Sequence, residues 1–410
     1  MAACESPLVK SGFGTVSLLL VTVCLLSCGI GVSGQAGQQQ CPGPHDIEPC
    51  SCIVKKNGLD ILCEFTDLFH ITRAMAFLKG KPNMVIFYLK LRHNNLPKLQ
   101  SFVFLGMDIR HLTMTHGLKC PAYVSEILPY QHSIPELESR QGLTQLDFSQ
   151  NWLNSVPSSA LKNLHHLLIL NLNHNKISAL HAKAFEGLDT LEILILFENK
   201  ISTIDPNTFK GIEKKLKRLN LAGNELNSVP QASLSILYNL RKLELHENSI
   251  SSVSEGDFEG LENLDSLGLS YNHLREVPAR VFSHLKQLNS LEIEGNAIAK
   301  IDEDAFVGLE ENLQYLRLGD NNLHAIPSDA LRRLHRLRHL DLRANNISYV
   351  SEDAFNWCCP FYDCVFRRVF RPCDFVPQFT CDDDLPRRNS IRDETEEKHV
   401  HRRNDLPGHT

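Results

Sequence analysis

From residue 86 onward the apolar positions of the chain recur with a period far longer than that of a helix or a strand. A frame of leucine, two residues, leucine, one residue, leucine, two residues, asparagine, one residue, leucine, with conservative swaps, begins at Ile86, Ile109, Leu143, Leu167, Leu191, Leu216, Leu240, Leu264, Leu288, Leu313 and Leu337. From Leu143 the starts lie 24 or 25 residues apart, whereas the first two copies, of 23 and 34 residues, are less regular. Apolar residues two apart, such as Leu170 and Leu172, fall on one side of a short strand, and Ile169 and Asn171 fall on the other. The pattern therefore predicts one strand per copy, stacked in parallel on the strand of the next. A single coil of this size cannot bury its own leucines. Neighbours must cover both of its open sides, so stability is shared along the chain and the ends need caps.

The asparagine position holds Asn94, Gly117, Asn151, Asn175, Asn199, Asn224, Asn248, Asn272, Asn296, Asn321 and Asn345. A buried amide without partners costs about 1–3 kcal/mol, so its recurrence predicts side-chain bonds to the backbone where the chain leaves each strand. Gly117 cannot make them, and the copy starting at Ile109 is expected to be the weakest. That copy also carries an insert over 118–142. The second half of each copy alternates between a proline form, as in SVPSSALKNL, and a Phe-Gly form, as in HAKAFEGL. Phe185, Phe209, Phe258, Phe282, Phe306 and Phe355 recur at corresponding places and are expected to stack as a core column.

Composition narrows the class. With 410 residues, 42% hydrophobic, 22% charged and a net charge of −6, collagen-like, wholly disordered and multi-span membrane proteins are excluded. The acidic balance argues against nucleic acid as a partner. Residues 1–34, with an apolar run behind Lys10 and small residues at Gly34 and Ala36, read as a secretory signal peptide; the alternative is an uncleaved anchor. No second apolar segment follows, so the mature chain is expected to lack a membrane span and to be secreted and extracellular. Of 13 cysteines, Cys41, Cys50, Cys52 and Cys63 cluster near the start and Cys358, Cys359, Cys364, Cys373 and Cys381 after the last copy, as disulfide candidates. Their spacing does not match structural zinc. Cys120 is left over, as is one cysteine of the second cluster. Either Cys120 is a buried free thiol or a C-terminal cysteine forms an interchain bridge, giving a disulfide-linked oligomer. Asn346-Ile347-Ser348 is the one glycosylation sequon.

These residues resemble the extracellular leucine-rich-repeat family of the 24-residue type, over about residues 41–381. The resemblance implies an α/β solenoid, a horseshoe with a parallel β-sheet on its concave face and disulfide-bonded caps. CPGPHDIEPCSC followed by Cys63 is similar to the N-terminal cap of the family and implies the pairs Cys41–Cys52 and Cys50–Cys63. The adjacent Cys358-Cys359 departs from the usual C-x-C opening of the C-terminal cap, which leaves its connectivity unread. The cap and irregular first copies are also similar to the secreted, non-catalytic leucine-rich-repeat subunit family of decapod luciferin 2-monooxygenase. The expected division is a signal peptide at 1–34, a cysteine-rich cap at 35–85, eleven repeats at 86–357, a second cap at 358–384 and a charged, disordered tail at 385–410.

In such an architecture the outward strand residues form the default binding face. Its first strands are basic to neutral, with Tyr88, Lys90, Arg92, His93, His111 and His116. Ile169, Ile193, Ile195 and Phe197 form an apolar patch, and such patches are normally covered by something. The insert is the alternative cover. Farther on, Tyr271, Glu292, Glu294 and Tyr315 lie in an acidic half that also carries Glu244, Glu247, Asp320 and Asp341, which suits a partner with a basic region. No H-E-x-x-H, G-x-S-x-G or P-loop motif occurs, so no catalytic residue, metal or cofactor is expected. The expected function is a secreted, non-enzymatic scaffold that binds a protein partner through the concave face. The alternative is the stabilising subunit of a secreted enzyme complex.

Overall fold

A computed structural model describes residues 39–81, 84–94, 96, 104, 107–117 and 142–350. The signal segment, insert residues 118–141 with Cys120, Phe355, the C-terminal cysteines and the tail lie outside the described residues.

In chain order the strands are β1 (Ser51–Lys55), β2 (Gly58–Glu64), β3 (Val85–Arg92), β4 (Asp108–Thr115), β5 (Gln145–Asp147), β6 (Ile169–Asn171), β7 (Ala179–Leu180), β8 (Ile193–Ile195), β9 (Thr203–Ile204), β10 (Arg218–Asn220), β11 (Lys242–Glu244), β12 (Ser266–Gly268), β13 (Glu276–Val277), β14 (Ser290–Glu292), β15 (Lys300–Ile301), β16 (Tyr315–Arg317) and β17 (His339–Asp341). Thirteen of them form one sheet in the order β1-β2-β3-β4-β5-β6-β8-β10-β11-β12-β14-β16-β17. Among the described residues only β1 and β2 pair antiparallel; every later pair is parallel, with one register shift between Leu59 and Asp60 of β2, and leucine stands opposite leucine from Leu146–Leu170 to Leu316–Leu340. The chain is a parallel-sheet solenoid. Two further bridges, β7 with β9 and β13 with β15, join neighbouring coils away from the main sheet.

The two irregular copies carry long strands. β3 and β4 run for eight residues each, against three in β5 and the later sheet strands. Their sequences, VIFYLKLR and DIRHLTMT, are rich in β-branched and aromatic residues that suit an extended backbone. The N-terminal cap adds a parallel strand of its own. In β2, Leu59, Ile61 and Cys63 are fully buried and continue the inward row, Ile61 beside Leu89 and Cys63 beside Leu91. A cysteine at the third inward place hides this strand from the leucine pattern. Among the described residues the disulfides are Cys41–Cys52 and Cys50–Cys63, the pairs implied by the family resemblance. A helix at Leu68–Lys79 follows, capped where Asp67 Oδ1 accepts the His70 N–H at 3.0 Å, and buries Ile71, Ala74, Met75 and Leu78.

All ten asparagines of the ladder are bonded. Each Nδ2 donates to a carbonyl of the preceding coil, over 2.7 Å from Asn151 to Met114 and 3.1 Å from Asn296 to Leu269. From Asn175 on, Oδ1 accepts a backbone N–H of the preceding coil, as with Leu153 at 3.0 Å and Ile177 at 3.1 Å. The residue just before each ladder position adopts a left-handed backbone, from His93 (φ 51°) through His174 (φ 50°) and Tyr271 (φ 55°) to Ala344 (φ 53°). That conformation costs a non-glycine residue of order 1 kcal/mol, and the buried amide bonds beside it hold the turn.

At Gly117 the ladder is rerouted. Its own N–H donates to Asn151 Oδ1 at 3.0 Å, as the Thr66 N–H does to Asn94 Oδ1 at 2.9 Å. A Cβ at 117 would stand 2.6 Å from the Asn94 carbonyl oxygen. Restoring the consensus by Gly117→Asn is therefore expected to lower stability by about 1–3 kcal/mol through overpacking, measured as a lower urea midpoint. A raised midpoint would show that the position lacks only its amide.

The column residue lies 18 places after each repeat start, and the two forms do not alternate strictly. Leu161, Leu234 and Leu331 occupy it in three proline coils, where Ser158–Leu161, Gln231–Leu234 and Ser328–Leu331 form single helical turns. The coil with Pro278 keeps Phe282, because Val281-Phe282 replaces the helix-favouring Ala-Leu pair of two of those turns. Phe185 and Phe209 stack at 6.1 Å, and Phe258, Phe282 and Phe306 form a second stack at 5.8 and 6.3 Å. Leu234 separates the two runs.

Candidate functional site

The sheet face turned away from the core is built in rows. Parallel pairing aligns Gln145, Ile169, Ile193, Arg218, Lys242, Ser266, Ser290, Tyr315 and His339, and two residues on it aligns Asp147, Asn171, Ile195, Asn220, Glu244, Gly268, Glu292, Arg317 and Asp341. Backbone bonds carry a third row through Asn173, Phe197, Ala222, His246, Ser270 and Glu294. The left-handed residues Glu198, Gly223, Glu247, Tyr271, Gly295 and Asp320 make a fourth.

Ile169 and Ile193 are direct neighbours, and Ile195 and Phe197 lie on the same coil as Ile193. All four are half-buried, more covered than three outward apolar residues on one strand suggested. The Phe197 ring meets His174 edge-on at 5.5 Å, and His174 lies 2.6 Å from Glu198. Tyr271 and Tyr315 are exposed. At the other end of the face, Phe65, His93 and His116 form an exposed stack, with ring centres 5.0 and 4.0 Å apart. Burial, with the neighbouring His93 and Arg92 charges, lowers the His116 pKa.

Between the apolar and acidic groups lies a shallow cup of about 320 Å³, lined by Phe197, Asn220, Ala222, Glu244, His246, Glu247, Ser270, Tyr271, Glu292 and Glu294. It joins four of the eight residues read from sequence, Phe197, Tyr271, Glu292 and Glu294; Ile169, Ile193, Ile195 and Tyr315 lie outside its lining. Its floor depends on a missing side chain. A Cβ at Gly268 would stand 2.0 Å from His246 Nε2 and 2.5 Å from Glu244 Oε2, so glycine lets this pair lie across β12. His246 Nδ1 accepts the Ser270 N–H at 3.0 Å, which leaves Nε2 to donate to Glu244 at 2.6 Å. Sequence reasoning missed His246, Gly268 and Ser270; only the gap in the outward row at Gly268 hints at them.

On this face the carboxyls of Glu244 and Asp341 are shifted. Burial alone would raise Glu244, but hydrogen bonds from His246 and Lys242 outweigh it and hold its pKa below the ordinary glutamate value. Arg343 does the same for Asp341, with a guanidinium nitrogen 2.9 Å from the carboxylate. Each is deprotonated more readily folded than unfolded, so its stabilisation is complete above the unfolded carboxylate pKa of about 4 and fades as pH falls through the folded one. The melting temperature is expected to drop between about pH 5 and about pH 3, less steeply in Glu244→Gln/Asp341→Asn. Parallel pH curves for parent and variant would refute the assignment.

The leucine-rich-repeat family model matches residues 141–201, 214–274, 263–311 and 311–357, half of the chain. The chain belongs to the leucine-rich-repeat family. This leucine-rich-repeat protein is similar in fold to a leucine-rich-repeat protein of Leptospira interrogans, with TM-score 0.53 and 24% identity over 65% of this chain and 64% of that one. It is also similar to a chain of the Toll–Spatzle complex of Drosophila, with TM-score 0.57 and 21% identity over 71% of this chain and 41% of that one. A third match is a chain of the octameric complex of Latrophilin 3, Unc5D and the leucine-rich repeats of FLRT2, with TM-score 0.51 and 27% identity over 61% and 72%. The chain thus spans less than two thirds of the length of the first two. No curated protein matches it, so the likeness to the luciferin 2-monooxygenase subunit gains no support. Among the described residues no helix is long and apolar enough to cross a membrane.

Proposed function

We propose that this leucine-rich-repeat protein is a secreted, non-enzymatic scaffold whose open sheet face, from β6 to β16, docks a protein partner. The observation that carries the reading is the contiguity of half-buried Ile169, Ile193, Ile195 and Phe197 with the cup and its carboxylates on one ladder of strands. An apolar patch beside an acidic rim gives both a desolvating anchor and electrostatic steering. The same carboxylates repel a phosphate backbone. The two disulfides fit passage through an oxidising compartment. That a similar chain sits in an assembly with Latrophilin 3 and Unc5D supports the reading by analogy.

The test is cross-linking of the full chain in its native fluid followed by mass spectrometry. Ile193→Asp/Phe197→Asp is expected to lose the captured partner, while Lys210→Asp/Lys214→Asp, exposed and off the sheet, keeps it. Retention by the first variant would overturn the docking face. Capture of one enzyme in equal amount would instead assign the chain as the stabilising subunit of a secreted enzyme complex, luciferase-type among the candidates.

A further inference from the structure

At the β12 end of the cup the Tyr271 ring lies across Gly295, where a Cβ would stand 2.4 Å from the ring. The exposed phenol is flanked by Glu247, Glu294 and Asp320, whose charges, after burial, raise its pKa. Among the described residues these three carboxylates have no ion-pair partner. By contrast Glu244 is held by Lys242 and His246, and Glu292 lies 3.6 Å from Arg317. Arg343, two strands beyond, is bonded to Asp341, and the Glu294 charge acts on it only after that of Asp341. A second, independent observation points to a ligand. Ser270, which lines the same cup, is 2% exposed, and its hydroxyl has no hydrogen-bond partner. A buried hydroxyl left unbonded is costly.

We propose that this end of the cup receives an arginine side chain from a basic segment of the protein partner. The assignment rests on the docking face proposed above and names the chemistry that the face selects. A planar guanidinium can lie on the Tyr271 ring, give paired N–H groups to Glu294 and Glu247, and keep a donor for the Ser270 oxygen. A lysine ammonium, compact and more strongly hydrated, fits this combination of one ring, separated carboxylates and a neutral acceptor less well.

The experiment is fluorescence anisotropy of the full chain with a labelled, end-capped Arg-Gly-Arg-Gly-Arg peptide at low ionic strength, beside its lysine counterpart. Glu247→Gln/Glu294→Gln/Asp320→Asn is expected to weaken arginine-peptide binding by about tenfold or more, and Ser270→Ala to weaken it with no loss of melting temperature. Glu225→Gln/Glu262→Gln/Glu303→Gln, an equal charge change on exposed residues elsewhere, is expected to leave it within about twofold. The proposal is overturned if the arginine peptide does not bind, if the lysine peptide binds as tightly, if both triple variants weaken binding alike, or if Ser270→Ala is indistinguishable from the parent. Should it fail while Ile193→Asp/Phe197→Asp still loses the native partner, the docking face stands and only the arginine assignment falls.

Discussion

Phe282→Ala is expected to lower the unfolding free energy by about 4 kcal/mol, within the range for deleting a buried aromatic ring. The ring is 1% exposed and is stacked on Phe258 on one side and Phe306 on the other. Its loss therefore opens a void shared by three coils, which neither neighbour can fill without leaving its own place. Phe282→Leu is expected to cost much less, because Leu161, Leu234 and Leu331 already serve the equivalent position in other coils. Urea unfolding followed by circular dichroism provides the measurement. An alanine variant with the parent's midpoint would show that the stack is dispensable. A divided transition would show that the stack couples the two halves of the solenoid.

Asn224→Ala should cost about 3 kcal/mol. The amide fills several vacancies at once: Oδ1 accepts the Ile201 N–H at 2.9 Å, and Nδ2 donates to the Leu196, Leu221 and Ala222 carbonyls at 3.0, 2.9 and 3.1 Å. Alanine leaves the buried Ile201 N–H without a partner, at about 1–3 kcal/mol, and takes one bond from each carbonyl, although Leu196 and Leu221 keep the Asn199 and Asn248 amides and Ala222 keeps the Glu198 N–H, at about 0.5–1.5 kcal/mol per lost bond. Asn227→Ala, three residues on and exposed, is the control and should change stability by less than about 0.5 kcal/mol. Equal effects from the two substitutions would mean that the ladder is ornamental.

Much of the fold was legible because its determinants are apolar and periodic. The inward leucines, the asparagine ladder and the phenylalanine column each need a particular side chain at a fixed place, and so leave a repeated mark. Other features leave none. The left-handed residue before each asparagine is His93, Gln150, His174, Glu198, Gly223, Glu247, Tyr271, Gly295, Asp320 or Ala344, with no shared chemistry, since the position faces solvent. The cap strand β2 breaks the leucine frame with Cys63. Half of the candidate residues read from sequence line the cup, because alternation assigns a face. The cup itself was not foreseen, since Gly268 acts by having no side chain and His246 by lying over it.

The amide ladder is also directional. Every asparagine reaches back to the coil before it, supplying that coil's exit turn with a donor and an acceptor, and none reaches forward. Fraying that begins at β17 would strip the β16 turn of both supports and so pass backward, coil by coil. Loss of the first coil would leave every later turn furnished. The solenoid is thus built like a ratcheted zip, sealed from its far end, and amide exchange should advance from β17 towards β3 rather than the reverse.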